Sequence, residues 1–204
     1  MLTDEQEQRI REAVHQAERK TSGEIVPMVV EASSTYPHLD FVGGLLGLVL
    51  GTLLAVWVFP ECVHLRLLGA QALGFAVGFL LCRHFPVVKR SLLSPKIREE
   101  EVFERALRAF QELELYRTQD RTGVLILVSL LERRVQVLAD TGINARVKPG
   151  AWNHVLEIVL AGIRKKDLCS GLCDAIVKCG EILAAEFPIQ SGDRNELADD
   201  LRRG

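Results

Sequence analysis

The stretch FVGGLLGLVLGTLLAVWVF at residues 41–59 decides how the chain is read, because it holds no ionisable side chain over the length of a bilayer crossing. At about 1.5 Å of rise per residue, a helix of this length matches a hydrocarbon core of about 30 Å. Residues 60–66 (PECVHLR) break the run, and LLGAQALGFAVGFLLC at 67–82 resumes it, with Gln71 as its one strongly polar side chain. Two membrane-crossing helices at about 41–59 and 67–82 are therefore expected. Uninterrupted apolar runs near 18 residues are uncommon in soluble cores, which sets this reading ahead of a buried core hairpin. Gly43, Gly47 and Gly51 stand at four-residue spacing, as do Gly74 and Gly78. Small residues so spaced let helix backbones approach, so these five are the expected packing face, for the other helix or for a second copy.

Charge sets the expected orientation. Arg83, Lys89, Arg90, Lys96 and Arg98 follow the second run, whereas the connecting loop holds Arg66 against Glu61. The positive-inside rule then places both flanks in the cytoplasm and the loop outside, for a multi-pass protein of the cell inner membrane. The acidic, helix-forming start and the late apolar run argue against a signal peptide.

The remainder has the size of one soluble domain, and a net charge of -2 over 204 residues gives no basic excess to suggest nucleic acid. The five cysteines are an odd number. Cys62 and Cys82 sit at the ends of the apolar runs, and Cys169, Cys173 and Cys179 fall on a helical pattern, which suits reduced thiols acting as small apolar groups. Cys169 and Cys173 are four apart, but no third ligand at metal spacing completes a set.

In chain order, Thr3-Asp4-Glu5-Gln6 is a capping box opening a helix with Ile10, Ala13, Val14 and Ala17 on one face, and Gly23 suits its stop. EIVPMVVEA at 24–32 reads as a strand, with Pro27 placing it at an edge or a bulge. Residues 33–40 and 86–95 lead into and out of the apolar hairpin. A second amphipathic helix at 98–115 carries Val102, Phe103, Ala106, Leu107, Phe110 and Leu113. VLILVS at 124–129 reads as a central strand, and the alternating RVQVLA at 134–139 as one with a wet face. Pro149 is expected to open a third helix bearing Trp152, Val155, Leu156, Val159 and Ile163. A fourth bears Leu168, Leu172, Ile176, Cys179, Leu183 and Phe187, and Pro188 ends it. The implied class is α/β: a small mixed sheet packed with helices, built from residues 1–38 and 87–188, with the hairpin at 39–86 inserted and a loose polar tail at 189–204.

No Walker-type loop, dinucleotide glycine fingerprint, HExxH or GxSxG occurs. Three carboxylates remain at strand ends: Glu24, Asp120 and Asp140. Parallel first and second strands with an antiparallel third bring all three to one sheet edge, where they could hold a hard cation such as calcium or magnesium and support phosphoryl chemistry. The same residues are also ordinary turn and cap formers. No nucleophile or general acid is apparent beside them, so no catalytic residue is assigned and a non-enzymatic role is favoured. His154 reads as a surface side chain, and Glu132-Arg133-Arg134 as a solvated turn.

The segments Leu2-Thr3-Asp4-Glu5, Thr21-Ser22-Gly23-Glu24-Ile25-Val26, Asp120-Arg121-Thr122-Gly123-Val124-Leu125-Ile126, Glu132-Arg133-Arg134-Val135 and Ala139-Asp140-Thr141-Gly142-Ile143 together resemble the TPM-domain family. That family is named for a thylakoid lumen protein, a photosystem II repair protein and a nematode receptor-associated membrane protein. The chain looks like its short bacterial branch with a membrane hairpin inside the domain. The resemblance implies a TPM-like α/β sandwich, membrane association, and a role in assembly, repair or modulation of membrane protein complexes. Some plant relatives have been assigned acid phosphatase activity with divalent-cation binding, which would make Glu24, Asp120 and Asp140 the metal carboxylates of a metal-dependent phosphatase. Many relatives have Asp-Asn-Gly where this chain has Asp120-Arg121-Thr122-Gly123, which sets a cation beside the carboxylate. Many also face the lumen or periplasm, whereas the charge rule here favours the cytoplasm. The expected partners are the lipid bilayer and a membrane protein or complex, with self-association through the hairpin permitted.

Overall fold

The computed structural model describes residues 2–58, 64–148, 150–189 and 196–204. Helix α1 (Asp4–Glu18) opens on the expected capping box: the Gln6 amide donates to Thr3 Oγ1 at 3.3 Å, and the Thr3 amide to Gln6 Oε1 at 3.0 Å. Its buried stripe is Ile10, Val14 and Ala17. The helix stops on an Arg19 cap, before Gly23.

Among the described residues the sheet has four strands in the order β3-β2-β1-β4: β1 (Glu24–Val30), β2 (Gly123–Ser129), β3 (Arg134–Ala139) and β4 (Arg202–Arg203). β1 and β2 are parallel, β2 and β3 antiparallel, and β4 runs parallel to β1. Two expectations change here. The tail is not loose over 196–204, because its last residues add a strand. β1 is therefore not the edge that Pro27 suggested. β4 joins it only at Met28 and Val29, beyond the proline, so the missing N–H falls outside that ladder.

Side chains alternate across the sheet with the period of a strand. Val124, Ile126 and Val128 of β2 join a core with Ile25, α1, α7 (Asn153–Lys165) and α8 (Leu168–Glu186). Leu125 and Leu127 face the other way, onto Val26, Met28, Val30 and the Val102, Ala106 and Ala109 stripe of α5 (Pro95–Glu112). Every β2 residue is buried, as its continuous apolar run predicts. In α5, Phe103 and Leu107 are 43% and 44% exposed. The apolar arc of that helix is wider than its contact with the sheet, and small Ala106 and Ala109 make the close approach instead. Glu114 at φ 54° ends that run, and a 3-10 turn at Leu115–Arg117 follows.

α7 begins at Asn153. The proposed Pro149 start, the loop residues 60–63 with Cys62, and tail residues 190–195 lie outside the described residues. Cys82, Cys169, Cys173 and Cys179 are free thiols. Burial pushes the Cys179 thiol well up and the Cys173 thiol up to about 11, so both behave as small apolar groups.

The chain divides into two compact units, Met1–Ser33 with Glu99–Gly204, and Ser34–Arg98. The second holds α2 (Pro37–Val58), α3 (His64–His84) and α4 (Pro86–Leu92). α2 and α3 pack antiparallel through the small residues: Gly43 meets Gly78 and Cys82, Gly47 meets Gly74, and Gly51 meets Ala70. A methyl group on Gly47 would overlap the Gly74 carbonyl oxygen. Both helices are long and apolar enough to cross a membrane. Their outer side chains are exposed, Leu50 by 66%, Leu73 by 67% and Trp57 by 82%. Lys89 of α4 reaches back to the start of α2, its Nζ 2.9 Å from Asp40 Oδ1 and donating to the Thr35 carbonyl at 3.2 Å.

The turn at 130–133 is not simply solvated. Glu132 is buried, and its carboxylate accepts from the Ser33 amide at 3.1 Å and from the Ser129 hydroxyl. The Leu130 and Leu131 amides donate to the Val30 and Glu31 carbonyls, so the turn laces the exit of β1 to the end of β2. Glu132→Ala strands two buried donors, and we expect it to cost about 2–4 kcal/mol of unfolding free energy. Glu132→Gln keeps an acceptor and should lose less. Urea unfolding of the two variants measures the difference.

Candidate functional site at the sheet edge

The strand register brings the three predicted carboxylate segments to one edge. Glu24 is level with Gly123, and Val124 with Ala139. The Glu24 amide donates to the Thr122 carbonyl at 3.1 Å, and the Asp140 amide to the Gly123 carbonyl at 2.9 Å. The side chains then diverge in what they do.

Asp120 is exposed in the turn before β2. Asp140 is buried and caps the short helix α6 (Thr141–Asn144), Oδ1 accepting from the Thr141 amide at 2.6 Å. Its Oδ2 lies 3.0 Å from Arg121 Nε, a charge contact rather than an aligned hydrogen bond. Arg121 sits at φ 57° and also donates through Nη1 to the Tyr116 carbonyl at 2.8 Å. This left-handed residue turns the loop so that α6 closes over it. A methyl group on Gly142 would lie 2.7 Å from the Arg121 carbonyl oxygen and overlap that of Asp120.

Glu24 is turned toward the C-terminal segment. Its Oε1 accepts from the Glu196 amide at 3.0 Å, and its Oε2 is buried with no hydrogen bond. Both carboxylate oxygens of Glu196 in turn accept from the Gln119 amide. Burial raises the Glu24 carboxyl above its ordinary range. Beside it, Glu18 Oε1 accepts from the Ile25 amide at 2.8 Å. Burial, with the Glu24 and Asp199 carboxylates nearby, pushes Glu18 up to about 8. Asp199 also faces His15 Nδ1 at 3.3 Å, Asp200 pairs with Arg11 at 2.6 Å, and Arg203 pairs with Glu7. The tail is thus strapped across the edge by charge.

A hard cation requires several convergent oxygens. Among the described residues no group of three or more His, Cys, Asp and Glu side chains is placed to hold a metal ion. Glu24 faces the tail amide, Asp140 faces a guanidinium, and Asp120 stands in solvent, so the set does not fit such an ion. The Ser129–Glu132 contact resembles a nucleophile with a base, but both residues are at most 1% exposed and no substrate reaches them. His154 is exposed and faces Glu157 at 3.6 Å on its own helix.

Residues 89–182 match the family model described as TPM domain. That part of the chain is similar to the TPM domain. The NMR structure of BA42 protein from the psychrophilic bacterium Bizionia argentinensis is similar over 100% of this chain and 96% of that one, with 22% identity and a TM-score of 0.64. That likeness is one of fold: a mixed α/β sheet layered with helices. No curated protein matches the chain. The matched segment starts at Lys89 and so covers β2, β3 and their helices, while Glu24 and the strapping tail lie outside it.

The predicted residues Glu24, Asp120 and Asp140 were legible as strand-end carboxylates. Glu18, Glu132 and the 196–203 strap were not. Their partners are distant in sequence, and a polar residue on a helix end, in a turn or in a charged tail carries no local sign of burial.

Proposed function

We propose that the TPM domain of this chain is a membrane-anchored, non-catalytic interaction module that assists assembly, repair or modulation of a membrane protein complex. The observation that carries the anchoring is the apolar exterior of the α2–α3 pair, whose inward faces are already filled by glycine contacts. Outward Leu, Val and Trp side chains along two helices of about 30 Å suit lipid far better than water. The basic residues from Arg83 to Arg98 favour an inner-membrane location with the domain on the cytoplasmic side. The non-catalytic part rests on the sheet edge, where Glu24 and Asp140 are committed to the tail amide and to Arg121.

The test is a phosphatase assay on the full chain in detergent, with and without calcium, magnesium or manganese, comparing the parent with Asp120→Asn. We expect the same background in both, with no metal response. Metal-dependent turnover that the folded variant loses would replace this reading with a metal-assisted phosphatase. Cross-linking in native membranes then identifies the complex that the module contacts.

A further inference from the structure

We infer that the outer edge of β3 is a docking site for an extended, acidic segment of a partner protein, which adds to the sheet as a further strand. The inference rests on the interaction-module reading above and names the surface and the class of partner.

β1 is covered on its far side by β4, whereas β3 pairs with β2 alone. Every β2 residue is buried, but in β3 only Val137 is. The register shows which groups this edge offers. The Asp140 amide donates to the Gly123 carbonyl, and backbone groups alternate in direction along a strand. Gln136 and Leu138 therefore bond to β2, while Val135, Val137 and Ala139 turn their N–H and C=O groups outward. Two of those carbonyls are answered from within the chain: Gln136 Nε2 donates to Val137 at 3.2 Å and Asn144 Nδ2 to Ala139 at 2.7 Å. Among the described residues the three outward N–H groups meet no acceptor, and Arg133 and Arg134, at the start of β3, make no ion pair. The edge is rich in donors and poor in acceptors. A segment that brings backbone carbonyls and carboxylates is its complement.

An apolar wall stands beside it. Leu138 packs with the α5 cluster, so Arg134, Gln136 and Leu138 share the α5 face of β3. Arg105 of α5 is turned toward the tail that lies beside β1: a methyl group on Gly204 would come 2.8 Å from Arg105 Nη2. At about 100° per residue, Phe103 and Leu107 fall on the flank opposite Arg105, which leans over the β3 side of the sheet. Their exposure leaves room for alternate side chains of an added strand. Backbone pairing supplies such a strand's affinity, and the wall and the two arginines its sequence preference.

The test uses the full chain in detergent and an eight-residue synthetic peptide of alternating valine and threonine ending in two glutamates, the end that lies against Arg133 and Arg134 in antiparallel pairing. Fluorescence anisotropy of the labelled peptide should show it binding about tenfold or more tighter than the same peptide ending in two lysines. Arg133→Asn/Arg134→Gln should bring the two peptides close together, and asparagine suits the left-handed backbone at Arg133, φ 52°. Two adjacent central prolines in the acidic peptide should abolish binding, because one of them faces β3 and its ring fills the space of the missing donor. That control leaves the protein unchanged. Hydrogen exchange at Val135, Val137 and Ala139 should slow when the acidic peptide binds. Absence of binding, equal binding of acidic and basic peptides, or tolerance of the prolines would overturn the inference. Protection of the same amides that grows with protein concentration in the absence of peptide would assign the edge to a second copy instead. Cross-linking separates this failure from failure of the module reading: a complex still recovered from native membranes leaves that reading standing on another surface, whereas metal-dependent turnover sinks it whatever the peptide does.

Discussion

Gly47→Ala in α2 is expected to destabilise the hairpin by about 1–3 kcal/mol, whereas Gly69→Ala in α3 should leave it within about 0.5 kcal/mol of the parent or slightly more stable. The substitution is the same and the surroundings differ. A methyl group on Gly47 overlaps the Gly74 carbonyl oxygen, and the next atoms, the Gly74 carbonyl carbon and Gly78 Cα, stand at 3.0 Å. All three belong to backbone, which cannot rotate aside, so the two helices must separate along their whole contact. Around Gly69 nothing lies within 4 Å, and the added methyl group only improves helix propensity. SDS titration in mixed micelles reads the difference. Equal midpoints for the two variants would show that the antiparallel contact is absent in the folded protein.

The second large effect is a loss of stability on the alkaline side. Glu18 moves from an ordinary 4.5 to about 8 in the folded domain, chiefly because it is buried, with Glu24 and Asp199 adding repulsion. A raised carboxyl binds its proton more tightly when folded than when unfolded. Its contribution is therefore complete below about pH 4.5 and is lost as pH rises toward 8. Glu24 is raised too, and works in the same direction. At about 1.4 kcal/mol per tenfold in proton affinity, with part of the effect screened by water at the half-buried Glu18, the fall is about 2–4 kcal/mol. Glu18→Gln keeps an oxygen for the Ile25 amide and resembles the protonated acid, so it should flatten the profile and exceed the parent at pH 8. Urea unfolding of the full chain in neutral detergent, with Trp57→Phe in both proteins so that Trp152 reports, measures it. A parent that is equally stable at pH 5 and pH 8 would sink the idea that Glu18 is buried under the tail.

The strap gives these two carboxylates a shared consequence. Glu18 and Glu24 lie beside the Glu196 and Asp199 carboxylates of the tail, so ionising the pair adds like-charge repulsion beneath 196–203 that opposes the Glu24 hydrogen bond to the Glu196 amide. β4 is only two residues long and adds little of its own. Hydrogen exchange at the Glu196 amide should therefore quicken with pH beyond its intrinsic base catalysis, and do so less in Glu18→Gln.

The resemblance to the TPM domain was legible in separated short segments, each too brief to decide alone, whose order along the chain carried the signal. The element types, the capping box of α1 and the apolar hairpin could be read locally. Each depends on side-chain period, on a cap or on an uninterrupted apolar run, and these are properties of neighbours in the chain. The tertiary structure alone decided which glycines meet, that Phe103 and Leu107 stay outside while Ala106 and Ala109 go in, and that the charged tail returns as β4. It also decided that Glu132 is buried and that Asp140 faces Arg121. Those outcomes depend on which polar group finds a partner once distant segments come together, and burial of a charge is settled by its partners, not by its position in the sequence.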